Sequence, residues 1–418
     1  MQRRKAANPY SQLLTFPKQL PMLPEIRQRY NAAFSTETYE VFVEQVKEDF
    51  PDTLEFRIAE TPVFIPKALR KKLVQAGEDI VDALVQPDFK AKTERAIPLD
   101  QYVPNEPDHC ALLTLDFAVC KDEQGEFTPQ LIEMQGFATL YGFQAYIGEM
   151  YKRFFYCPTG YSQYFHGMDR ESYIAELKQL FIGDGDSENT ILLEIYPEIQ
   201  KTRIDFAVTK DILDIETVCL TKVRKDGRQL YYEKNGHRID IHRIYNRVIV
   251  DDLQHYPDLV TEFKLTDDVD VQWIAHPNWF FRASKFTLPL LNSPYVPKSY
   301  FLHEVTEYPQ DLENYVLKPL FSFAGSGVKL HISQEDLDGI PDKENYLLQR
   351  KVNYEPVVES PTGGVKVEIR LMYVWHPDEA RPKLVTNLAR MSKGEMIGVR
   401  FNKDFDWVGG NICFFEEG

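Results

Sequence analysis

The chain has 418 residues, 43% of them hydrophobic and 13% aromatic, with 23 Tyr, 27 Phe and a net charge of −16. This composition describes a well-packed globular protein of two or three subdomains and excludes disorder beyond the first residues. The acidic balance excludes a general nucleic-acid binder, which needs a basic face, but leaves room for a local basic pocket holding one nucleotide.

The opening MQRRKAANPYSQ carries charges with no apolar segment behind them, so secretion is not expected. No stretch approaches the ~20 apolar residues of a membrane span, and no membrane partner is expected. Cys110, Cys120, Cys157, Cys219 and Cys413 form no C-x-x-C pair, which fits reduced thiols and a cytoplasmic location. The nine histidines are dispersed without ligand spacing, leaving little support for a zinc site or a His-based triad.

Residues 37–50 and 66–86 have helical periodicity, with Val41, Phe42 and Val46, then Leu69, Leu73, Ile80 and Leu84 at helix-face intervals. Residues 111–120 and 129–135 predict a β-hairpin around KDEQGEF. Amphipathic helices are predicted over 141–155 and 171–181, followed by the polar connection GDGDSEN. From Thr190 the pattern alternates: the strand ILLEIY, a helix around Gln200, then FAVTKDI, VCLTKVR and the strand IYNRVIV, as in an α/β subdomain. A helix is predicted from Lys285 to Leu291 beside a strand at 296–302. The remainder is strand-rich (YVLKP, GVKLHI, NYLLQRKV, VKVEIRLMYVW, KLVTNLARM, GNICFF), predicting an α+β domain with a large antiparallel sheet.

Two places carry chemistry. Between Tyr315 and Leu330 an apolar strand ends in Lys318-Pro319, and a loop with Gly325-Ser326-Gly327 follows. A rigid strand aims the Lys318 ammonium, and glycines let backbone N–H groups approach phosphate oxygens; the bland alternative is an ordinary β-turn. No G-K-[ST] follows, so this is not a P-loop. On the early hairpin, Glu133 and Gln135 share a strand face and Asp116 can meet them from the partner strand. Three oxygen ligands on one rigid face suit Mg²⁺; the alternative is a pair of hairpin carboxylates facing solvent.

Residues 285–418 resemble the nucleotide half of an ATP-grasp ligase: Lys285 opening a helix, the Lys318-to-Gly327 strand and loop, the hinge strand YLLQRKV, the EIR strand ending in Arg370, and an N-x-x-R segment with Asn387 and Arg390. The acidic strands that ordinarily close such a domain stand instead upstream, at Asp116 and Glu133-Met134-Gln135. That order resembles circularly permuted, eukaryotic-type glutathione synthetase and related glutathionylspermidine synthase-like ligases. The segment LARMSKGEMIGVRFNKDFDWVGGN is similar to that family's final loop and strand, and the likeness spans roughly residues 110–418.

The resemblance implies a permuted ATP-grasp fold, mixed α+β and α/β, in three parts. Residues 1–160 would be N-terminal helices plus the metal-binding hairpin, 161–284 a central α/β substrate subdomain, and 285–418 the nucleotide domain with its lid. It implies ATP and Mg²⁺ as cofactors. Lys285, Lys318 and Lys351 would meet phosphates or the adenine edge, Gly325, Ser326 and Gly327 would cap the triphosphate, and Gln349, Arg350, Lys351 and Val352 would form the adenine hinge. Arg370, Arg390 and Arg247 would stabilise the transferring phosphoryl group, each with a plain ion pair as its alternative. Asp116, Glu133 and Gln135 would hold the metal.

Three departures matter. Gln135 stands where the family has Asn, LFSFAGSG lacks the family's loop glutamate, and Leu115 stands where it has a substrate-binding arginine, so glutathione is not the expected product. GFATLYGFQ is expected to line the acceptor pocket, with Tyr141 and Phe143 either touching substrate or starting a buried helix. Residues 355–366 and 391–406 have lid composition. The expected activity is ATP-dependent joining of a small carboxylate to an amine through an acylphosphate. The rival is a non-catalytic nucleotide-binding or scaffold protein of the same fold.

Overall fold

The computed structural model describes residues 22–137, 139–249, 253, 255–321, 327–394, 396–398 and 401–417. The chain begins with helices α1 (Pro24–Ala33) and α2 (Thr36–Asp49), a short strand β1 (Val63–Ile65) and helix α3 (Lys67–Leu84). Ser35 caps α2 by accepting the Thr38 N–H at 3.1 Å. On α3, Leu69, Leu73, Ala76, Ile80 and Leu84 recur at helix-face spacing and are buried.

The hairpin follows as β2 (Leu112–Lys121) and β3 (Phe127–Gln135). It leads, past the single turn α4 (Phe89–Lys92) that precedes it, into α5 (Tyr141–Phe154), β4 (Tyr161–Ser162) and α6 (Arg170–Phe181). Strands β5 (Thr190–Glu194), β6 (Glu216–Cys219), β10 (Arg243–Asn246) and β11 (Gln272–Ile274) form a sheet ordered β11-β10-β5-β6, parallel throughout. Helix α7 (Arg203–Leu213) crosses over from β5 to β6, and β7 (Arg224–Asp226), β8 (Gln229–Lys234) and β9 (His237–Ile241) make a separate antiparallel sheet.

Beyond these, β12 (Ser299–Phe301), β13 (Tyr315–Pro319) and β14 (Tyr346–Arg350) form a small antiparallel sheet with β14 central. The largest sheet joins β18 (Gly409–Asn411), β17 (Lys383–Ser392), β16 (Gly363–Val374), β2 and β3 in that order, with β15 (Val358–Ser360) paired to β16. The last strand, β19 (Cys413–Glu416), lies between β1 and β4. Strand β16 pairs with β2 over Val374↔Leu112 to Glu368↔Ala118, so the early hairpin and the late strands form one sheet. Among the described residues no helix is long and apolar enough to cross a membrane.

Three local expectations are corrected. FAVTKDI is helical, not extended: Ile204, Val208 and Ile212 recur every four residues and are buried on α7. GVKLHI contributes one bridge, Lys329 to Leu317, because the chain then turns to Ser333, whose hydroxyl caps a short helix at Gln334–Asp338. The segment opened by Lys285 is 3-10 rather than α, spanning Lys285–Leu290, since Pro289 inside it cannot donate a backbone hydrogen bond.

Candidate functional site

Residues two apart on a strand share a face. The sheet register sets Asp116 opposite Glu133 on one side and Arg370 on the other, and Glu368 opposite Arg390. One sheet face therefore gathers charges from four strands. Arg370 Nε and Nη2 donate to Asp116 Oδ1 and Oδ2, each at 2.6 Å. Arg390 Nη2 donates to Asp116 Oδ2 at 2.5 Å and pairs with Glu368 Oε1 at 2.7 Å. Tyr354 donates to Glu368 Oε2 at 2.7 Å.

Burial alone would raise the Asp116 pKa, but Arg370 and Arg390 outweigh it and hold the carboxyl below its ordinary value. Burial, with Asp116 nearby, moves Glu368 the other way, upward against the pull of Arg390. The carboxylates in turn hold the Arg390 pKa above its usual value despite desolvation. Asp116 is 1% exposed and the Arg370 side chain 7%, whereas the Arg390 side chain is 35% exposed.

Beside this face lies a cleft lined by Glu133, Gln135, Lys285 and Ser284 and walled by Phe137, Phe280 and Phe321. Lys318, near the end of β13, donates to the Ile132 carbonyl of β3 at 3.3 Å. The end of β3 runs tightly against the short helix Pro277–Arg282. Gly136 N donates to Ala283 O at 2.9 Å, and a Cβ on Gly136 would come within 2.6 Å of Trp279 O. That close approach brings the buried Lys285 to the mouth of β3.

Burial pushes the Lys318 pKa down to about 8, with Glu133 opposing and Lys285 reinforcing the shift. Its positive charge is present below that pH and lost above it. Affinity for a phosphate ligand is therefore expected to fall as pH rises from 7 to 9, read by equilibrium dialysis with labelled ATP. A flat profile across that range would count against Lys318 as a phosphate contact.

The remaining expected residues are distributed differently. Gly325 and Ser326 lie outside the described residues; Gly327 has φ 70° and turns tightly over Pro319. Gln349 is buried and donates to Ser299 Oγ at 3.0 Å. Arg350 faces Asp311 at 3.3 Å, and the Lys351 ammonium sits on Glu313 O at 2.5 Å. Lys318 pairs with Leu347, four residues before Lys351, so the two lysines are separated by about 13 Å along the strand direction. Lys351, expected to meet phosphates or the adenine edge, thus stands apart from Lys318, and its backbone, with that of Val352, continues from the hinge strand. Arg247 is buried at the end of β10, its N–H on Leu193 O at 2.8 Å and its guanidinium 5.0 Å from the Phe137 ring, behind the cleft wall.

Tyr141 and Phe143 are core residues rather than substrate contacts: both are buried, and Tyr141 donates to Tyr373 O at 2.7 Å. Sequence reasoning missed Asp205, which accepts Leu140 N and Phe143 N at 2.9 Å each and fixes the segment entering α5. It also assigned nothing to Glu368, although its position two before Arg370 on a strand places both on one face.

The set Asp116, Glu133 and Gln135 does not fit a resident magnesium ion. Both Asp116 oxygens are taken by guanidinium groups. Gln135 Nε2 donates to Glu133 Oε1 at 2.8 Å, turning its amide oxygen away from that carboxylate. Among the described residues no three His, Cys, Asp or Glu side chains are grouped to hold a metal.

No family model matches the chain, and no curated protein matches it. A solved structure does. The apo form of a glutathione synthetase-like effector from Globodera pallida aligns with a TM-score of 0.55 and 9% identity, covering 95% of this chain and 100% of that one. At this identity the likeness establishes the fold: a mixed α/β architecture with several sheets, of glutathione synthetase-like form.

Proposed function

We propose that the chain is an ATP-dependent carboxylate–amine ligase on a circularly permuted ATP-grasp fold. The observation that carries this reading is the approach of Lys318 to β3 at 3.3 Å, with Lys285 beside it, next to a sheet face bearing Arg370 and Arg390. Lys285 and Glu133, far apart in the sequence, line one cleft, and Lys318 donates to the strand that carries Glu133.

In this reading ATP phosphates rest on Lys285 and Lys318, and the backbone of residues 349–352 meets the adenine. The γ-phosphoryl group passes to a substrate carboxylate, breaking its bond to ADP and forming an acylphosphate. An amine then attacks the acyl carbon, an amide forms, phosphate leaves, and the amine gives up a proton. Positioning and electrostatics carry such transfers. Arg390 suits the role of charge stabiliser because it is partly open and its Nε has no hydrogen-bond partner. Arg370, bound to Asp116 through Nε and Nη2, acts by holding that carboxylate against Arg390. Arg247, whose guanidinium lies 5.0 Å from the Phe137 ring, is a third candidate for the charge-stabilising role. Lys393 and Asp406 are tied to Thr362 and to each other, the Lys393 ammonium donating to Thr362 Oγ1 at 2.6 Å and to Asp406 Oδ1 at 2.8 Å, which suits a cover that shields an acylphosphate from water.

A second reading, a nucleotide binder without turnover, is favoured by the occupation of both Asp116 oxygens. Incubation with ATP, pooled carboxylic and amino acids and hydroxylamine separates the two. The ligase predicts ADP together with a hydroxamate. ADP without hydroxamate would mark a small-molecule kinase, and bound ATP with no ADP would establish the second reading.

A further inference from the structure

We infer that this site takes nucleotide phosphates directly on its own ammonium and guanidinium groups, with no divalent cation held by the protein. The inference rests on the nucleotide reading above and concerns how the ligand's charge is met.

Among the described residues, Lys285, Lys318, Arg370 and Arg390 are gathered at this face and cleft with the carboxylates Asp116, Glu133 and Glu368. A triphosphate brings several negative charges to these four cationic side chains. The acidic groups are also committed. Asp116 accepts from two arginines, and Glu368 from Arg390 and Tyr354. Glu133 is left, with one oxygen accepting the Gln135 amide at 2.8 Å and its charge close enough to Lys318 to influence it. Magnesium demands near-octahedral oxygen coordination, and Glu133, whose carboxylate neighbour Asp116 accepts from two arginines and whose neighbouring amide presents nitrogen, is a poor start on it.

The test is equilibrium dialysis of the full chain with radiolabelled ATP, in EDTA and in magnesium, for the native protein and Glu133→Gln. Affinities in the two media are expected to agree within about threefold, and Glu133→Gln is expected to bind at least as tightly, since a negative charge near the phosphates is gone. Binding weaker by about tenfold or more in EDTA, or a comparable loss in Glu133→Gln measured with magnesium, would overturn the inference while leaving the nucleotide site standing. Absence of binding in both media would overturn the nucleotide reading and this inference with it.

Discussion

Asp116→Ala is expected to lower the unfolding free energy by about 3–5 kcal/mol, because it removes one partner of a buried ion network and leaves the other in place. Asp116 is 1% exposed and holds both Nε and Nη2 of Arg370, whose own side chain is 7% exposed. Once the carboxylate is gone, the Arg370 guanidinium has neither water nor counter-charge. Arg390 keeps Glu368 and loses less. Urea unfolding should show a lower midpoint with an unchanged slope. Combining Asp116→Leu with Arg370→Met should recover much of the loss, since replacing both partners with apolar groups removes the unpaired charge.

The same network has a pH signature. The Asp116 pKa is lower in the folded chain than its ordinary 3.8, so its stabilisation is complete above the unfolded value and is lost as pH falls through the folded one. Acid unfolding of the native protein should include this loss, and Asp116→Ala should show a shallower acid limb. A destabilisation below about 1 kcal/mol would mean that water reaches Arg370 and that the network contributes no more than a surface pair.

Lys318→Met is expected to weaken ATP binding about 10- to 100-fold, the size of a lost charge-assisted hydrogen bond to phosphate. Lys351→Met should change it by less than about twofold, because that ammonium is held on Glu313 O, remote from Ile132. The comparison matters more than either value, since both are strand-end lysines in the same small sheet. Thermal melting separates binding from folding. Burial disfavours the Lys318 charge, so Lys318→Met should melt no lower than the native chain. Equal loss of binding in both variants would show that the sheet as a whole, rather than the Lys318 ammonium, supports the ligand.

Local patterns were dependable wherever one periodicity ran without a rival. Helices α2 and α3 match their apolar spacing by burying one face, Phe42 and Val46 on α2 with Val41 left exposed, while β2 of the hairpin is buried on both faces. FAVTKDI misled because its apolar residues fit alternation and a four-residue repeat together, and only packing of α7 against the parallel sheet selects the helix. Lys285 and Lys318 were legible as basic residues beside punctuated loops. The commitment of Asp116 was not, since nothing near residue 116 announces a partner at Arg370.

The sequence by itself determined which residues are charged on which strands, where the glycines and prolines break the chain, and that the interior is large and aromatic. Those properties follow from composition and from repeats only a few residues long. The tertiary structure decided which charges face each other: that β16 enters the sheet beside β2, that Asp116 is spent on two arginines, and that Lys318 comes to rest on Ile132 while Lys351 turns to Glu313. Register between distant strands is set by the burial of both sheet faces across the whole chain, and shifting it by one residue would exchange every partner.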